Sequence, residues 1–564
     1  MSETVSPDLV VLDARVYTAD SGNGWADAFA VTDGKITAVG TSEEIAALAG
    51  PATQTHRLGG RFVMPGLCDA HAHIGLGGAI TAWELSLLPS DSKQDILQKV
   101  RERASQLGPD EWIVGGIIGA TVLDEVTYDI EALAELDEAS GGRPVLLRDD
   151  SMHNRWVSSA TLKLLGVDAA TTDPEGGQYV RDTQGRHTGV LRELTSITAE
   201  ELRLASIQDL DNHDRVSVAT SIAQLNSFGI TSVQDAGSMA YLFKALTSLE
   251  EAGELNAWVV NSMPARPFLD RGFTGPELYE AGKAARSRHV RPDFVKFMLD
   301  GVPMTRTTAM LSPYICHDHT EDPDFCGDLL WDTAELVENL RDITARGLSA
   351  KLHATGDRSV RQALDAIEQI RKERGDGPIF HIAHPVYVDP ADVPRFAALN
   401  VIADASPYIW YPSVLQASID QQIPAETTAR SWPFKNLLKE GALVAAGSDW
   451  PAGLPSPDPW LGFETMVTRR NPDPSVSGAL NESQALTIGQ TIAAFTANAA
   501  QAMGLSEVTG RIKAGLSADF IVLDRDLFDV AVDQIHETAV LETWFEGRQV
   551  YQRDNNDAAA SASV

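Results

Sequence analysis

Short apolar runs alternate with amphipathic stretches through the middle of the chain. The runs have the length of buried strands, whereas stretches such as 333–346 and 358–374 repeat their apolar residues with helical spacing. The strand-like runs are residues 62–69, 229–235, 257–261, 294–300, 348–353, 378–384, 400–405 and 442–449. Eight strands alternating with helices predict an α/β fold, a (β/α)8 TIM barrel, whose chemistry lies on the loops that follow the strands.

Both ends of the chain carry a different pattern, of short strands and tight turns. Runs in residues 9–31 precede the hairpin signal Asp33-Gly34, and runs at 518–524 and 540–551 include a second one, Glu546-Gly547. We therefore expect a small β-sandwich domain built from both termini, residues 1–62 plus 503–552. Residues 553–564 are rich in Asn, Asp, Ala and Ser and are expected to form a disordered tail.

The first and second predicted barrel strands are separated by about 160 residues, far more than an ordinary βα connection. This gap predicts a large insertion after barrel strand 1, at residues 78–190, within a barrel domain of residues 63–502. A second long connection runs from Asp300 to Ala334 and is rich in Pro, Asp and His. We expect it to form a loop over the barrel mouth.

Composition narrows the possible partners and the cellular compartment. The 564 residues carry a net charge of −34, which argues against nucleic acid and anionic membrane as partners and leaves a small-molecule substrate. Only three cysteines are present, too few for a disulfide framework, and the first residues lack the pattern of a secretory signal. No apolar run of about 18 residues is present, so no membrane span is expected. These features favour a cytoplasmic enzyme.

Metal-binding residue types occur at the ends of several predicted strands. His71 and His73 are one residue apart on an extended backbone, so both imidazoles point the same way and can meet one metal ion. Such a pair is a weak signal alone, because His317 and His319 form another one. Later strands add Lys296, His353, His384 and Asp449. Nitrogen and oxygen donors suit a divalent metal such as zinc, and six residues suit two ions better than one.

Seven segments of the chain carry a family resemblance. They are residues 63–73, 229–236, 295–301, 353–358, 447–451, 495–500 and 510–519. Together they resemble the amidohydrolase superfamily, most of all the branch with a long insertion after the first barrel strand (amidohydrolase family 3 type), which includes N-substituted formamide deformylases. The resemblance extends over most of residues 8–550.

The resemblance implies a role for each candidate. His71 and His73 would bind the more buried ion, and His353 and His384 the more exposed one. Lys296 would carry a carboxylated ε-amine that bridges both ions, since an intact ammonium group cannot bind a cation. Asp449 would bind metal, accept a proton from the bridging water and pass it to the leaving nitrogen.

Some assignments remain open at this point. Either His381 or His384 could be the histidine ligand of the sixth strand, and we favour His384. His153 lies in a segment that resembles a motif of the branch near its active site. The candidate substrate-contact residues are His153, Glu193, Trp156, Asp300 and Trp450. A homodimer is expected on the resemblance alone.

These features predict a metal-dependent hydrolase of a non-peptide C–N bond, in an amide, formamide or carbamate, with zinc as the expected metal. The alternatives are a deaminase or a decarboxylase on the same scaffold, and a lactone or ester hydrolase. A deaminase of this type would use a His-x-x-Glu arrangement after strand five, and the chain has His353-Ala354-Thr355-Gly356-Asp357 there. A non-catalytic scaffold protein is a further alternative, although such a relative would be expected to have lost ligands.

Overall fold

The structure is a computed structural model that describes residues 6–149, 154–267, 272–316, 322–452 and 456–554. Its Cα positions divide the chain into two compact units. The first comprises residues 1–74 and 222–564, and the second comprises residues 75–221. The predicted tail falls largely on residues 555–564, outside the described residues.

The strands are numbered in chain order. They are β1 (Leu9–Leu12), β2 (Arg15–Tyr17), β3 (Trp25–Ala26), β4 (Ala28–Thr32), β5 (Lys35–Gly40), β6 (Gln54–Arg57), β7 (Phe62–Pro65), β8 (Leu67–Ala72), β9 (Leu85–Ser86), β10 (Ile113–Ile118), β11 (Val145–Asp149), β12 (Asn154–Val157), β13 (Gly177–Arg181), β14 (His187–Glu193), β15 (Ile230–Asp235), β16 (Trp258–Pro264), β17 (Val290–Met298), β18 (Ser349–His353), β19 (Phe380–Ala383), β20 (Val401–Ala405), β21 (Val444–Ala446), β22 (Phe520–Leu523), β23 (Val540–Phe545) and β24 (Arg548–Gln552).

The α-helices are numbered in the same way. They are α1 (Ser42–Ala46), α2 (Ile74–Trp83), α3 (Lys93–Gln106), α4 (Ala120–Thr127), α5 (Ile130–Ser140), α6 (Ser159–Leu164), α7 (Leu194–Ala205), α8 (Leu210–Ser227), α9 (Ala240–Glu251), α10 (Pro276–Ala285), α11 (Thr333–Ala345), α12 (Asp357–Arg374), α13 (Val393–Ala398), α14 (Val414–Gln422), α15 (Ala425–Thr428), α16 (Phe434–Lys439), α17 (Pro459–Thr468), α18 (Ile488–Ala494) and α19 (Ala497–Ala502).

Eight parallel strands of the first unit form a nearly closed barrel. Their order is β21-β20-β19-β18-β17-β16-β15-β8, so sequential strands are neighbours, as the alternating pattern predicts. The two end strands approach each other where the Asp449 amide donates to the His71 carbonyl at 2.7 Å. Most residues of these strands are buried, which explains why the strands read as apolar runs in the sequence. An α/β barrel is therefore confirmed.

The first barrel strand begins later than the sequence suggests. The apolar run from residue 62 breaks at Gly66: β7 before it pairs with β2 and β22, and β8 after it enters the barrel. A Cβ on Gly66 would lie only 2.3 Å from the Thr231 hydroxyl oxygen, so the close packing at this position requires a glycine. The expectation of one barrel strand from Phe62 is corrected accordingly.

Strands from both ends of the chain share one sheet, with the order β24-β23-β22-β7-β2-β3. A second sheet, β5-β4-β1-β6, comes from the first 57 residues, and apolar side chains of both sheets form one core. The hairpin turns are at the predicted positions: φ is 50° at Asp33 and 73° at Gly34, and 49° at Glu546 and 70° at Gly547. Positive φ at both central residues is typical of the tight turns that join antiparallel strands.

The second unit has a sheet of its own, with the order β13-β14-β12-β11-β10-β9. Apolar residues of α3, α4 and α5 belong to the same core as those of the sheet. The unit spans residues 75–221, so it is longer at both ends than the predicted insertion of residues 78–190. None of the helices within the described residues is both long and apolar enough to cross a membrane.

Candidate metal centre

All six residues predicted as metal ligands lie at the carboxyl end of the barrel. His71 is the penultimate residue of β8, and His73 directly follows this strand. Lys296 lies on β17, and His353 is the last residue of β18. His384 follows β19, and Asp449 follows β21. The carboxyl ends of barrel strands meet at one face, which brings together residues far apart in the chain.

Two of the histidines and the aspartate bring their donor atoms together in one group. The imidazole nitrogens of His71 and His73 and a carboxylate oxygen of Asp449 all lie within 4.8 Å of one another. Oδ1 of Asp449 is 3.6 Å from Nε2 of His71 and 3.4 Å from Nε2 of His73. This spacing leaves room for an ion between them, and the set of two imidazoles and one carboxylate fits zinc.

The other three residues surround this group. Nζ of Lys296 lies 3.1 Å from Nε2 of His71, and Nε2 of His384 lies 3.9 Å from Oδ2 of Asp449. The His384 ring is 4.4 Å from the His71 ring and 5.2 Å from the His353 ring, measured between centroids. His353 thus joins the cluster through its contact with the His384 ring, and its Nε2 donates to the Gly301 carbonyl at 3.0 Å.

The geometry distinguishes between His381 and His384, the two candidate ligands of the sixth barrel strand. His384 orients its ring through a hydrogen bond between Nδ1 and the Ser406 hydroxyl at 2.9 Å, which directs Nε2 toward Asp449. His381 lies on β19 with its Nε2 donating to the Ala502 carbonyl at 2.9 Å and its ring 5.2 Å from the Phe294 ring. His384 is therefore the histidine of this segment that joins the cluster.

The backbone holds two of these residues in a rarely used conformation. The φ angle is 57° at His384 and 59° at Asp449. Residues other than glycine seldom adopt positive φ, and each such residue costs about 1–3 kcal/mol, so neighbouring contacts must hold it there. The His384 amide donates to the Asp404 carbonyl at 3.0 Å, and the Asp449 amide donates to the His71 carbonyl.

Asp69 ties the two end strands of the barrel together below the cluster. Its Oδ1 accepts from the amides of His71 and Ser448, both at 3.0 Å, and its Oδ2 accepts from the Ser448 hydroxyl at 2.6 Å. Burial raises the pKa of Asp69 to about 6 despite these hydrogen bonds. Gly447 packs closely against the same backbone, because a Cβ at this position would lie 2.3 Å from the backbone nitrogen of His71.

Burial also controls the charge state of the cluster. It lowers the pKa of His71, His353 and His384, which keeps these imidazoles neutral at neutral pH, the form that binds a metal. Burial and the nearby charge of Lys351 lower the pKa of Lys296 to about 7. Burial alone would raise the pKa of Asp449, but electrostatic interactions with the nearby His384, His73 and Lys296 and a hydrogen bond with His73 outweigh it and lower that pKa.

Sequence reasoning missed two charged residues inside the barrel. Lys351 on β18 and Asp404 on β20 are both fully buried, and Nζ of the lysine lies 2.5 Å from Oδ2 of the aspartate. Asp404 also contacts His71, through Nδ1 at 2.8 Å. The available signal was a charged residue within an apolar strand, the same signal that drew attention to Lys296.

The candidate substrate-contact residues have different surroundings. His153 lies outside the described residues. Glu193 is exposed at the start of α7, with a φ of 54°. Trp156 has no exposed surface and belongs to the apolar core of the second unit, so a contact with substrate is not supported. Trp450 is only 1% exposed, which argues against substrate contact for the same reason.

Asp300 has a different role from the one expected. It is fully buried, and its carboxylate accepts from the amides of Ala309, Thr355 and Gly356, each at 3.0 Å. The Ser359 hydroxyl donates to it as well, at 2.6 Å. These bonds occupy both carboxylate oxygens, so Asp300 fixes the loops after β17 and β18 instead of contacting a substrate.

Comparison with known proteins identifies the family. The model of the amidohydrolase family matches residues 55–551, which is most of the 564-residue chain. The chain belongs to the amidohydrolase family. The resemblance seen in the sequence motifs is thereby confirmed.

Two relatives match over nearly the whole length of the chain. An N-substituted formamide deformylase from Arthrobacter pascens is 26% identical over 561 residues, covering 97% of this chain and 98% of the relative. A putative amidohydrolase, YtcJ, from Bacillus subtilis is 27% identical over 545 residues, covering 95% and 98%. Among solved structures, an uncharacterized metal-dependent hydrolase from Pyrococcus furiosus superposes with a TM-score of 0.71 at 22% identity, covering 92% of this chain and 99% of that one. This structural similarity shows that the two chains share a fold.

Proposed function

We propose that this amidohydrolase is a metal-dependent hydrolase of a non-peptide C–N bond in a small amide, formamide or carbamate. The observation that carries the proposal is the convergence of His71, His73 and Asp449, whose donor atoms lie within 4.8 Å of one another at the barrel mouth. The full-length similarity to an N-substituted formamide deformylase supports the choice of bond.

His71, His73 and Asp449 would hold one divalent ion, most suitably zinc. When bound, such an ion lowers the pKa of a water molecule and polarises a carbonyl group. The three residues fit this task because the buried imidazole of His71 is neutral and Asp449 is ionised at neutral pH. His73 is 14% exposed and Asp449 25% exposed, so this side of the cluster is the one that substrate and water reach.

Asp449 is the residue proposed to move protons. Its lowered pKa leaves the carboxylate free to accept a proton from the attacking water at neutral pH. The same carboxyl group then donates that proton to the nitrogen that leaves when the C–N bond breaks. Its left-handed backbone directs the side chain toward the imidazoles of His73 and His384.

Lys296 is proposed to carry a carboxylated ε-amine and, with His353 and His384, to hold a second ion. Two observations favour this lysine over Lys351. Nζ of Lys351 donates to Asp404 and to the Ala70 carbonyl, at 2.5 and 2.7 Å, so it is already engaged. The pKa of Lys296 is lowered to about 7, so a large share of its amine is neutral and able to react with carbon dioxide.

The test uses full-length protein reconstituted with zinc and bicarbonate, and N-formyl, N-acyl, carbamate and lactone substrates. We expect one of the C–N substrates to be turned over, and Asp449→Asn to lower kcat/KM by about 10²- to 10⁴-fold, the usual contribution of an acid–base group. Asp376→Asn is the matched control, because that side chain is 79% exposed. The proposal is wrong if zinc does not bind, if only the lactones react, or if Asp449→Asn retains full turnover.

A further inference from the structure

A buried ion pair crosses the interior of the barrel beneath the candidate metal centre. Lys351 on β18 and Asp404 on β20 have no exposed side-chain surface, and the strand between them, β19, pairs with both. Burying two charges costs several kcal/mol per ion, and such pairs are often no better for stability than apolar residues. A role in stability alone is therefore a poor explanation for this pair.

The lysine also reaches the strand that carries His71. Its Nζ donates to the Ala70 carbonyl on β8 at 2.7 Å, in addition to Oδ2 of Asp404 at 2.5 Å. Ala70 directly precedes His71 in the chain. One ammonium group thus links three barrel strands, β18, β20 and β8, at the level of the candidate ligand.

The aspartate contacts the side chain of the same histidine. Oδ2 of Asp404 lies 2.8 Å from Nδ1 of His71, and both groups are fully buried. A carboxylate can only accept, so Nδ1 carries the proton and donates it to Asp404. Nε2 of His71 then carries the lone pair, which accepts from Nζ of Lys296 at 3.1 Å and lies 3.6 Å from Oδ1 of Asp449.

We propose that Asp404 and Lys351 are positioning residues that hold His71 in the tautomer and orientation required for metal binding. Asp404 fixes the ring through Nδ1, while Lys351 fixes Asp404 and the backbone at Ala70. A carboxylate behind a histidine ligand raises the basicity of the metal-binding nitrogen and prevents the ring from rotating. The inference rests on the proposed function, because it assumes that His71 binds the metal.

Asp404 is placed to act through His71 and not as a ligand itself. Its Oδ2 lies at the Nδ1 side of the ring, opposite the nitrogen that faces Asp449. Oδ1 of Asp404 is buried and has no hydrogen-bond partner among the residues that the structure describes. The carboxylate is thus held entirely through the oxygen that His71 and Lys351 share.

The experiment compares two double variants that both remove the buried charges. Lys351→Met with Asp404→Asn keeps a carbonyl oxygen that can accept from Nδ1 of His71. Lys351→Met with Asp404→Leu has a similar size but no acceptor. Neither variant leaves a charge unpaired in the barrel, so both are expected to fold, which circular dichroism and thermal unfolding will check. Should the leucine variant not fold, Asp404→Ala in the same background removes the acceptor without added bulk.

Zinc affinity, measured by competition with a chromophoric chelator, is the main readout. We expect the variant without an acceptor to bind zinc about 10- to 100-fold more weakly than the asparagine variant, the usual effect of losing such a partner. The absorption spectrum of bound cobalt should also change in that variant, because the His71 ring is no longer fixed. Wild-type protein provides the reference for both measurements.

Two results would overturn the inference, and they are distinguishable. Equal zinc affinity and equal cobalt spectra in the two double variants, with zinc binding to wild type intact, would contradict the positioning of His71 through Asp404 and leave the proposed function standing. Absence of zinc binding in the wild-type protein would contradict the proposed function and the inference together.

Discussion

Two residues at the candidate metal centre, His384 and Asp449, have backbone conformations that their residue types disfavour. Their φ angles of 57° and 59° aim both side chains at the point where His71 and His73 converge. The cost is offset by the backbone hydrogen bonds that each residue makes to a neighbouring strand. Placement of these side chains therefore depends on close packing between the first and last barrel strands, where Gly447 lies.

The substitution Gly447→Ala adds one methyl group between the first and last barrel strands and tests whether their close packing is required. A Cβ there would lie 2.3 Å from the backbone nitrogen of His71 and 2.7 Å from Oδ1 of Asp69. Both atoms are held in place by hydrogen bonds. We expect the free energy of unfolding to fall by about 1–3 kcal/mol, as in other overpacked sites, and the zinc affinity proposed for His71 and Asp449 to fall with it.

Gly489→Ala is the matched control for this substitution. Gly489 lies in α18, and a Cβ there would meet no heavy atom of the described residues within 4 Å. Alanine should be neutral or stabilising by up to about 1 kcal/mol at a helical position of this kind. Equal denaturation midpoints for the two variants, measured in guanidinium chloride, would contradict the packing argument.

The residue types of the candidate metal centre were largely visible in the sequence, but their partners were not. His71, His73, His353, His384 and Asp449 stand at the ends of apolar runs, where a polar residue is conspicuous. Lys351 and Asp404 are equally conspicuous within their strands, yet they are 53 residues apart and meet only across the barrel. A sequence pattern records which residues are out of place and does not record which of them are neighbours.

At the scale of elements, a charged network joins two strands and a helix of the second unit. Arg148 on β11 donates to both carboxylate oxygens of Glu200 on α7, at 2.6 and 3.0 Å, and Arg155 on β12 donates to the same residue at 2.8 Å. Glu84 completes the network through Arg148. Burial alone would raise the pKa of Glu200, but the charges of Arg148 and Arg155 and their hydrogen bonds lower it to about 2.

This network predicts a pH dependence of stability. The pKa of Glu200 is lower in the folded protein, about 2 against an ordinary 4.5, so its contribution is fully present above pH 4.5 and is lost as the pH falls toward 2. At pH 6, Glu200→Gln should lower the free energy of unfolding by about 3 kcal/mol. Urea denaturation between pH 6 and pH 3.5 should show the difference from wild type shrinking below pH 4.5. A difference that stays constant over this range would contradict the assignment.

The strand pattern predicts the barrel well because its strands are buried on both faces. The run at residues 348–353 predicts a strand, for example, and β18 spans Ser349–His353. The same property hides the break at Gly66, since β7 and β8 form one continuous apolar run although they join different sheets. Hydrophobicity reports that a segment is buried and does not report which sheet buries it.

At the scale of the whole molecule, one buried carboxylate in the first unit connects the terminal sheet to the barrel. Asp519 precedes β22 and accepts from the Trp258 indole on β16 at 2.9 Å. It also accepts from the hydroxyls of Thr509 and Ser517, both at 2.7 Å, and from the Glu546 amide at 2.8 Å. Residues up to 261 positions away along the chain therefore share one carboxyl group.

Asp519→Ala should destabilise the first unit as a whole. The substitution leaves up to four donors without their acceptor, and each unsatisfied buried donor costs about 1–3 kcal/mol. We expect the free energy of unfolding to fall by at least about 3 kcal/mol, and the barrel and the terminal sheet of the first unit to unfold in one thermal transition. Asp529→Ala is the control, because that side chain is 71% exposed. Equal melting temperatures for the two variants would contradict the connecting role of Asp519.

The position of β7 in the terminal sheet has a consequence for synthesis on the ribosome. This strand lies between β2, which is translated before it, and β22, which is translated after the whole barrel. Only Gly66 separates β7 from the strand that carries His71. A nascent chain therefore cannot pair the edge of β7 that faces β22 until residues 520–523 have emerged from the exit tunnel, so the sheet that contains β7 closes only after all eight barrel strands have been synthesised.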